Sequence, residues 1–275
     1  NFSKDLKKFK SEIIELERKI TIFHSKVIKD INVNNQDFLI GFHGQTIFHN
    51  SEEKISYQIG DSRLLFQLIG QKIIFNFREN DILNGGQGAP LAPLFHQLII
   101  SQKKVELPVC VLNIGGISNL TIINGYTGSL DFFSKDIGPG NCLIDSWIRN
   151  NSEKKFDVNG NLSKSGEINE IILEQAQELF SNRKSKKKLS FDVSDFDISF
   201  ARGLSLEDGA RTLTELTANV LGEAIINECQ KLNINAKKIL LCGGGRKNKF
   251  LIDLIQKKIK NKIIQIDDFN IDGDF

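Results

Sequence analysis

The stretch KKILLCGGGRKNKFLIDLIQKKIKNKIIQI, residues 237–266, decides the fold class of this chain. Apolar runs at 237–242 and 262–266 predict strands, and residues 248–260 between them carry apolar side chains at helical spacing. This order predicts a right-handed parallel βαβ unit and an α/β fold. The glycine turn at 243–245 offers backbone donors beside the positive end of a helix dipole. The pattern is neither a P-loop nor GxGxxG. It fits a nucleotide bound against the turn, and it also fits a plain strand-to-helix connection in which glycine allows close packing.

Two more strands end on glycine earlier in the chain. In VLNIGGISNLTII, residues 111–123, the Gly115-Gly116 pair leaves peptide N–H groups open to a phosphate, although a tight hairpin turn favours the same pair. In SLDFFSKDIGPGNCLID, residues 129–145, Asp136 ends a predicted strand before a turn. Its carboxylate fits a general base or a metal held through water, and it equally fits a cap on that turn.

The first part of the chain alternates helices and strands in a different order. Residues 2–31 place apolar side chains on one stripe of a long helix, and DFLIGFHGQTIFHN, residues 37–50, predicts a strand, a glycine turn and a second strand. Asp61 and Gly70 stand where the caps of a short helix belong. The pattern changes to closely spaced strands from residue 109, so we predict a domain boundary there.

The composition excludes several classes of protein. The 275 residues carry a net charge of +2, which gives no dense basic face for nucleic acid, and no apolar run reaches the roughly 18 to 20 residues that span a membrane. The four cysteines are far apart without metal-ligand spacing, which predicts buried free thiols in a reducing compartment, the cytoplasm. We treat the basic run at 182–190 as a solvated loop.

Polar side chains at two glycine-rich junctions could bind a sugar or an amide. His43, Gln45 and Thr46 lie in GFHGQT, and Arg78 and Gln87 lie in the long loop RENDILNGGQGAP. Arg78 fits a bidentate partner for a ligand carboxylate, and it equally fits a surface ion pair. A lone histidine such as His43 is more often structural than catalytic.

Several of these stretches together resemble the anhydro-N-acetylmuramic acid kinases, a family of the actin, sugar kinase and Hsp70 superfamily. They are, in chain order, IGFHGQTIFH, QIGDSRLL, FRENDILNGGQGAPLAPLFH, LNIGGISNLT, DIGPGNCLIDSW, LSLEDGARTLTELTA and LCGGGRKN. The resemblance implies a two-domain actin-like ATPase (ribonuclease H-like) fold with central mixed sheets flanked by helices. Residues 1–108 would form the sugar-side domain and residues 109–275 the ATP-side domain.

The resemblance also implies a reaction and its residues. An ATP-dependent kinase with Mg²⁺ would open 1,6-anhydro-N-acetylmuramic acid and phosphorylate O6 to N-acetylmuramic acid 6-phosphate in cell-wall recycling. The catalytic base would be Asp136. The nucleotide-binding residues would be Gly115, Gly116, Gly138, Gly243, Gly244, Gly245 and Asn248, and the sugar-binding residues His43, Gln45, Thr46, Arg78, Gln87 and Asn141. No residue is assigned as a metal ligand, and a monomer and a homodimer both stay open.

This sequence also departs from the family pattern. A GTSxDG phosphate loop ahead of the first helix and a final helix with an acidic residue are absent, so we treat both ends as incomplete. Asn76 stands where the family often has aspartate, and Cys142 where an apolar residue is common. We expect the printed chain alone to bind ATP weakly and to phosphorylate nothing. A non-catalytic nucleotide or sugar sensor and a phosphohydrolase of the same superfamily are the alternatives.

Overall fold

The computed structural model divides the chain into two compact units, Asn1–Leu91 and Ala92–Phe275. It describes residues 8–31, 37–50, 53–126, 131–184, 191, 193 and 196–274. The division precedes the boundary expected between residues 108 and 109. The cause is the helix at Ala92–Gln102, which packs on strands of the second unit. Most of the basic run at 182–190 lies outside the described residues.

The first unit combines helices with two small sheets. Its elements are α1 Lys10–Ile31, β1 Leu39–Phe42, β2 Gln45–Asn50, β3 Ile55–Ile59, α2 Ser62–Ile69, β4 Lys72–Phe75 and α3 Glu79–Leu83. Strands β1 and β4 pair in parallel, and β2 and β3 form an antiparallel hairpin with an irregular register near Thr46. Ile40, Phe42 and Leu65 form its buried core.

The predicted caps of α2 are confirmed. The Asp61 side chain accepts hydrogen bonds from the backbone N–H groups of Arg63 and Leu64, and Gly70 adopts the left-handed conformation that ends a helix. Helix α1 is anchored on this segment through polar atoms, since Thr21 Oγ1 accepts from Asp61 N at 2.9 Å. Its apolar stripe is largely exposed, with Phe23 at 65%.

The second unit is built on a five-stranded mixed sheet. Its elements are α4 Ala92–Gln102, β5 Val109–Ile114, β6 Ile117–Ile123, β7 Phe132–Pro139, α5 Cys142–Asn151, α6 Asn161–Ser165, α7 Glu170–Lys184, α8 Leu206–Lys231, β8 Lys238–Cys242, α9 Lys249–Lys258 and β9 Lys262–Gln265. The strand order is β7-β6-β5-β8-β9, and only β6 runs antiparallel to the others. In chain order this is 3-2-1-4-5, the ribonuclease H-like arrangement that the resemblance implied.

Side chains of the central strands alternate between two buried faces. On β5, Cys110, Leu112 and Ile114 enter the larger core under the helices that include α5, α8 and α9, whereas Val109 and Val111 enter the core that Ile100 of α4 shares. This two-sided burial explains why the central strands read as continuous apolar runs. The predicted βαβ unit is confirmed, because β8 and β9 pair in parallel with α9 between them.

Two sequence-based element boundaries differ from the structure. Strand β7 continues past Asp136 to Pro139, because Ser118 and Ile117 of β6 still pair with Gly138 and Pro139. The sequence predicts one helix over about 164 to 180, whereas the structure has two, α6 and α7, separated around Gly166. A Cβ at Gly166 would collide with the backbone of Glu207, so that close approach requires glycine.

Among the described helices, none is both long and apolar enough to cross a lipid bilayer.

Candidate functional site

The three strand-to-glycine junctions meet at one edge of the five-stranded sheet. Strands β5, β7 and β8 are mutually parallel, so their carboxyl ends lie on the same side. The junctions that follow them are Gly115-Gly116, Gly140 and Gly243–Gly245. This edge is where open α/β sheets usually bind ligands. The structure therefore brings the three glycine junctions of the sequence to one edge of the sheet, and phosphate binding there stays a prediction.

The Gly115-Gly116 turn is a β-hairpin that also holds the start of helix α5. Its carbonyl groups accept hydrogen bonds from the following turn: Asn141 N donates to Gly115 O at 2.8 Å, and Gly140 N donates to Gly116 O at 2.8 Å. A Cβ at Gly140 would overlap the Gly115 carbonyl, so the two turns could not approach this closely with any other residue at 140. The hairpin reading is confirmed, and phosphate contact stays a prediction.

The Gly243–Gly245 turn packs directly against the end of β5. A Cβ at Gly243 would collide with Asn113 Oδ1 and the Ile114 carbonyl, and one at Gly245 would collide with the Ile114 side chain. Position 244 differs, because a Cβ there would meet nothing within 4 Å. Gly244 is therefore the member of the turn whose face is open to a ligand.

Asp136 is half-buried on β7, close to the same edge. Its Oδ2 accepts a hydrogen bond from the Phe191 backbone N–H at 3.0 Å. Burial raises the pKa of the Asp136 carboxyl above its ordinary value, and the Phe191 hydrogen bond offsets part of that rise. The Val193 side chain lies 3.4 Å from the position that a Cβ on Gly116 would take, so Phe191 and Val193 both lie near this edge.

Two other predicted residues near this edge, Gly138 and Asn248, have structural roles in the fold. Gly138 is buried, and a Cβ there would lie 2.6 Å from Val220 Cγ1 of α8. Asn248 is 7% exposed and caps α9, with Oδ1 accepting from Leu251 N at 3.0 Å. The Asn141 side chain does not cap α5. The ligand contacts assigned to Gly138, Asn141 and Asn248 remain predictions. Asn248 Oδ1 already accepts a hydrogen bond within the protein.

In the first unit, the structure brings together residues that are distant in the chain. Arg78 Nε donates to His43 Nε2 at 3.1 Å across 35 positions. His49, which sequence reasoning missed, joins them: burial lowers the pKa of His49, and the Arg78 charge lowers it further. The Gln87 backbone is also hydrogen-bonded to His49, so four polar residues form one group. We call His43, His49, Arg78 and Gln87 the imidazole–guanidinium cluster.

Gln45 and Thr46 lie on β2, between His43 and His49 in the sequence. Their side chains form hydrogen bonds within the β2–β3 hairpin. Gln45 Nε2 donates to the Thr46 carbonyl at 3.3 Å, and Thr46 Oγ1 accepts from Gln58 Nε2 at 3.4 Å. A cavity of about 600 Å³ in this unit is lined by polar residues such as His43 and Gln58 and by apolar residues such as Phe77. Gln45 and Thr46 stay predicted sugar-binding residues.

The loop that carries Gln87 is shaped by Asp81, another polar residue of the same glycine-rich stretch. Asp81 Oδ2 accepts from Gly88 N at 2.6 Å, and the Asp81 carbonyl accepts from Gly86 N at 2.8 Å. A Cβ at Gly86 would collide with the Asp81 carboxylate. Asp81 therefore folds the glycine-rich loop back onto α3, and the Asp-x₄-Gly-x-Gly spacing was the available signal.

Comparison with known proteins identifies close relatives. A family model described as anhydro-N-acetylmuramic acid kinase matches residues 7–275. An anhydro-N-acetylmuramic acid kinase from Pelagibacter ubique (strain HTCC1062) is 50% identical, over 100% of this chain and 74% of that protein. One from Agrobacterium fabrum (strain C58 / ATCC 33970) is 39% identical, over 87% of this chain and 64% of that protein.

Solved structures are more distant. The activator of the 2-hydroxyisocaproyl-CoA dehydratase from Clostridium difficile with bound ADPNP is 12% identical, with a TM-score of 0.45 over 86% of this chain and 88% of that chain. At that score the likeness says nothing about the function of this chain.

Proposed function

The chain belongs to the anhydro-N-acetylmuramic acid kinase family, and we propose that the protein containing it opens 1,6-anhydro-N-acetylmuramic acid and phosphorylates O6 at the expense of ATP. The product is N-acetylmuramic acid 6-phosphate, and the process is cell-wall recycling. The chain spans about three quarters of one relative and less than two thirds of another. The activity is therefore proposed for the full-length protein.

One observation supports this proposal above the others: a half-buried carboxylate lies beside glycine turns that share one sheet edge. Gly244 leaves open space above the turn after β8, and the neighbouring Gly115-Gly116 hairpin closes the edge beside it. Backbone groups free of side chains allow phosphate oxygens to approach closely. Asp136 supplies the acid–base group that ring opening by water requires.

Asp136 acts as the general base in the proposed reaction. It accepts a proton from a water molecule whose oxygen bonds to C1 of the sugar as the C1–O6 bond breaks. The released O6 then attacks the γ-phosphorus, and ADP leaves. Burial raises the pKa of Asp136, which makes its carboxylate a stronger base than an exposed aspartate.

Mg²⁺ would supply charge neutralisation on the phosphates when bound. It is usually held by one or two carboxylates together with phosphate oxygens and waters, and the Asp136 carboxylate beside the glycine turns suits such a contact through water. The glycine turns would orient the phosphates with their backbone donors. A homodimer and a cytoplasmic location remain predictions.

The imidazole–guanidinium cluster is proposed to bind the sugar. The lactyl carboxylate requires a cation, and Arg78 presents a planar fork of donors partly oriented by His43. His49 stays neutral because burial and the Arg78 charge both lower its pKa. A neutral imidazole can accept or donate a hydrogen bond to the sugar hydroxyl or acetamide groups.

Arg78→Lys is expected to raise KM for the anhydro sugar by about tenfold, because lysine keeps the charge but loses the bidentate geometry. KM for ATP should change little, since the cluster lies in the other unit from the glycine turns. Steady-state kinetics with each substrate varied in turn measures both constants. Arg18→Lys, on the exposed side of α1, is the matched control; equal rises in both KM values would contradict the sugar assignment.

Isotope labelling tests the overall reaction. The full-length protein is incubated with 1,6-anhydro-N-acetylmuramic acid, ATP and Mg²⁺ in ¹⁸O-labelled water, and the products are examined by mass spectrometry. We expect one solvent oxygen at the anomeric hydroxyl for each ADP formed, and none in the transferred phosphate. Label in free phosphate without sugar product would instead favour a phosphohydrolase.

A further inference from the structure

Arg246 is a buried cation at the centre of the turn that follows β8. The residue is 8% exposed, yet its guanidinium keeps its charge because surrounding carboxylates raise its pKa further. Nε and Nη2 donate to the two oxygens of Asp267 at 2.8 and 3.1 Å, and Nη1 donates to Asp274 Oδ1 at 2.5 Å. A buried charge is tolerated only with such a complete set of partners.

The same guanidinium also holds the Gly243 peptide. Nη1 donates to the Gly243 carbonyl at 3.2 Å, and the Arg246 backbone N–H donates to that carbonyl at 3.1 Å. On its other side, Gly243 N donates to the Gly273 carbonyl at 2.6 Å. Gly273 lies so close to Arg246 that a Cβ there would collide with Nε. The Gly243 peptide is therefore fixed at both its N–H and its C=O group.

Three chain segments thus converge on one side chain. Gly243 follows β8, Asp267 follows β9, and Gly273 and Asp274 lie further along the chain. The planar guanidinium has five donors in fixed directions, and here it donates to Asp267, Asp272, Asp274 and the Gly243 carbonyl. Lysine has the same charge but no fork, so it cannot replace the whole set.

We propose that Arg246 is a positioning residue for the nucleotide, which sets the orientation of the Gly243–Gly245 turn without touching ATP. This inference rests on the proposed function of that turn. Its guanidinium points to Asp267 and Asp274 and is buried, whereas the open space lies above Gly244. Small displacements of the Gly243 peptide would move Gly244 away from the nucleotide, because the turn has no side chain that could adapt in its place.

The test is Arg246→Lys in the full-length protein, with binding of Mg·ADP measured by isothermal titration calorimetry. We expect Kd for Mg·ADP to rise by about tenfold, comparable to the loss of one or two charge-assisted hydrogen bonds that position a site. KM for ATP should rise in parallel, while KM for the sugar stays within about twofold, a change below 0.5 kcal/mol. A purely structural role would instead lower the active fraction and leave both KM values unchanged.

Lys247→Met is the matched control. Lys247 is the adjacent cation and contacts the same Asp274 at 2.6 Å, but it is largely exposed. Exposed ion pairs contribute little, so this variant should bind Mg·ADP like the wild type. Asp267→Asn is a milder second variant for use if Arg246→Lys does not fold; it removes one charge from the pair and should weaken Mg·ADP binding by several-fold.

The outcomes separate this inference from the proposed function. Wild-type protein that binds Mg·ADP but does not phosphorylate the sugar defeats the proposed reaction, and a binding loss in Arg246→Lys would still support the positioning role. Wild-type protein that does not bind Mg·ADP overturns the inference. Unchanged Mg·ADP affinity in Arg246→Lys, or in Asp267→Asn where the first variant fails to fold, also overturns it.

Discussion

Asp136→Asn is expected to lower kcat by about three orders of magnitude, because general base catalysis commonly contributes 10²- to 10⁴-fold. Asparagine keeps the shape and can still accept the Phe191 N–H hydrogen bond, but it cannot accept a proton from water. Ring opening and phosphoryl transfer should be lost together, since O6 is released only when C1 is attacked. Sugar phosphate and ADP are quantified by mass spectrometry at saturating substrates.

Asp145→Asn is the matched control for this variant. Asp145 is also a half-buried aspartate of the second unit, and burial raises its pKa in the same direction. Because it lies on α5 and is not assigned to the reaction, its variant should retain turnover within a few-fold of the wild type. Full activity in Asp136→Asn would remove Asp136 from the role of base.

The stability of Asp136→Asn provides an independent check. The folded-state pKa of Asp136 is raised above the unfolded value near 3.8, so its favourable contribution is complete below that pH and is lost as pH rises through the folded-state pKa. At neutral pH the buried charge therefore destabilises the fold, and asparagine avoids this cost. We expect the variant to have a Tm at pH 7 that is equal to or above that of the wild type.

Thermal unfolding at pH 7 and at about pH 4 separates the two explanations for lost activity. The Tm advantage of Asp136→Asn should shrink toward the lower pH, where the wild-type carboxyl becomes protonated. A lower Tm at pH 7 would mean that the substitution disturbs the fold, and the lost activity would then say nothing about a base.

Local chemistry made the glycine turns and helix caps predictable from sequence. Gly-Gly after a strand and aspartate before a helix are favoured for reasons that lie within a few residues. The extension of β7 to Pro139 was missed because it depends on pairing with β6, whose register shifts between Ser118 and Asn119. A turn signal such as Gly-Pro-Gly cannot report that a partner strand continues to bind the backbone beside it.

Contacts between distant segments set the remaining features. Arg78 and His43 were each singled out, but their hydrogen bond spans 35 positions and no spacing rule predicts it. The role of Arg246 depends on Asp267 and Asp274, which lie 21 and 28 positions away in the chain. The unit boundary likewise follows from the packing of α4 on the second unit rather than from the composition around residue 108.

Gly244→Ala and Gly245→Ala, adjacent in one turn, are expected to have opposite effects. A methyl group at 245 would overlap the buried Ile114 side chain, so we expect a loss of about 1–3 kcal/mol in the free energy of unfolding. A methyl group at 244 meets nothing within 4 Å, and its backbone conformation is open to alanine. Gly244→Ala should therefore unfold at the wild-type Tm or slightly above it.

The effects on nucleotide affinity should have the opposite order, with the larger loss in Gly244→Ala. If the phosphates or ribose of ATP lie against Gly244, the added methyl occupies their space and should raise Kd for Mg·ADP by at least about tenfold, equivalent to 1.4 kcal/mol. The folded fraction of Gly245→Ala should lose less affinity, because its methyl points into the core. Calorimetric titration of both variants, with KM for the sugar as reference, measures the difference. If Gly244→Ala binds Mg·ADP with the affinity of the wild type, the nucleotide does not lie against Gly244.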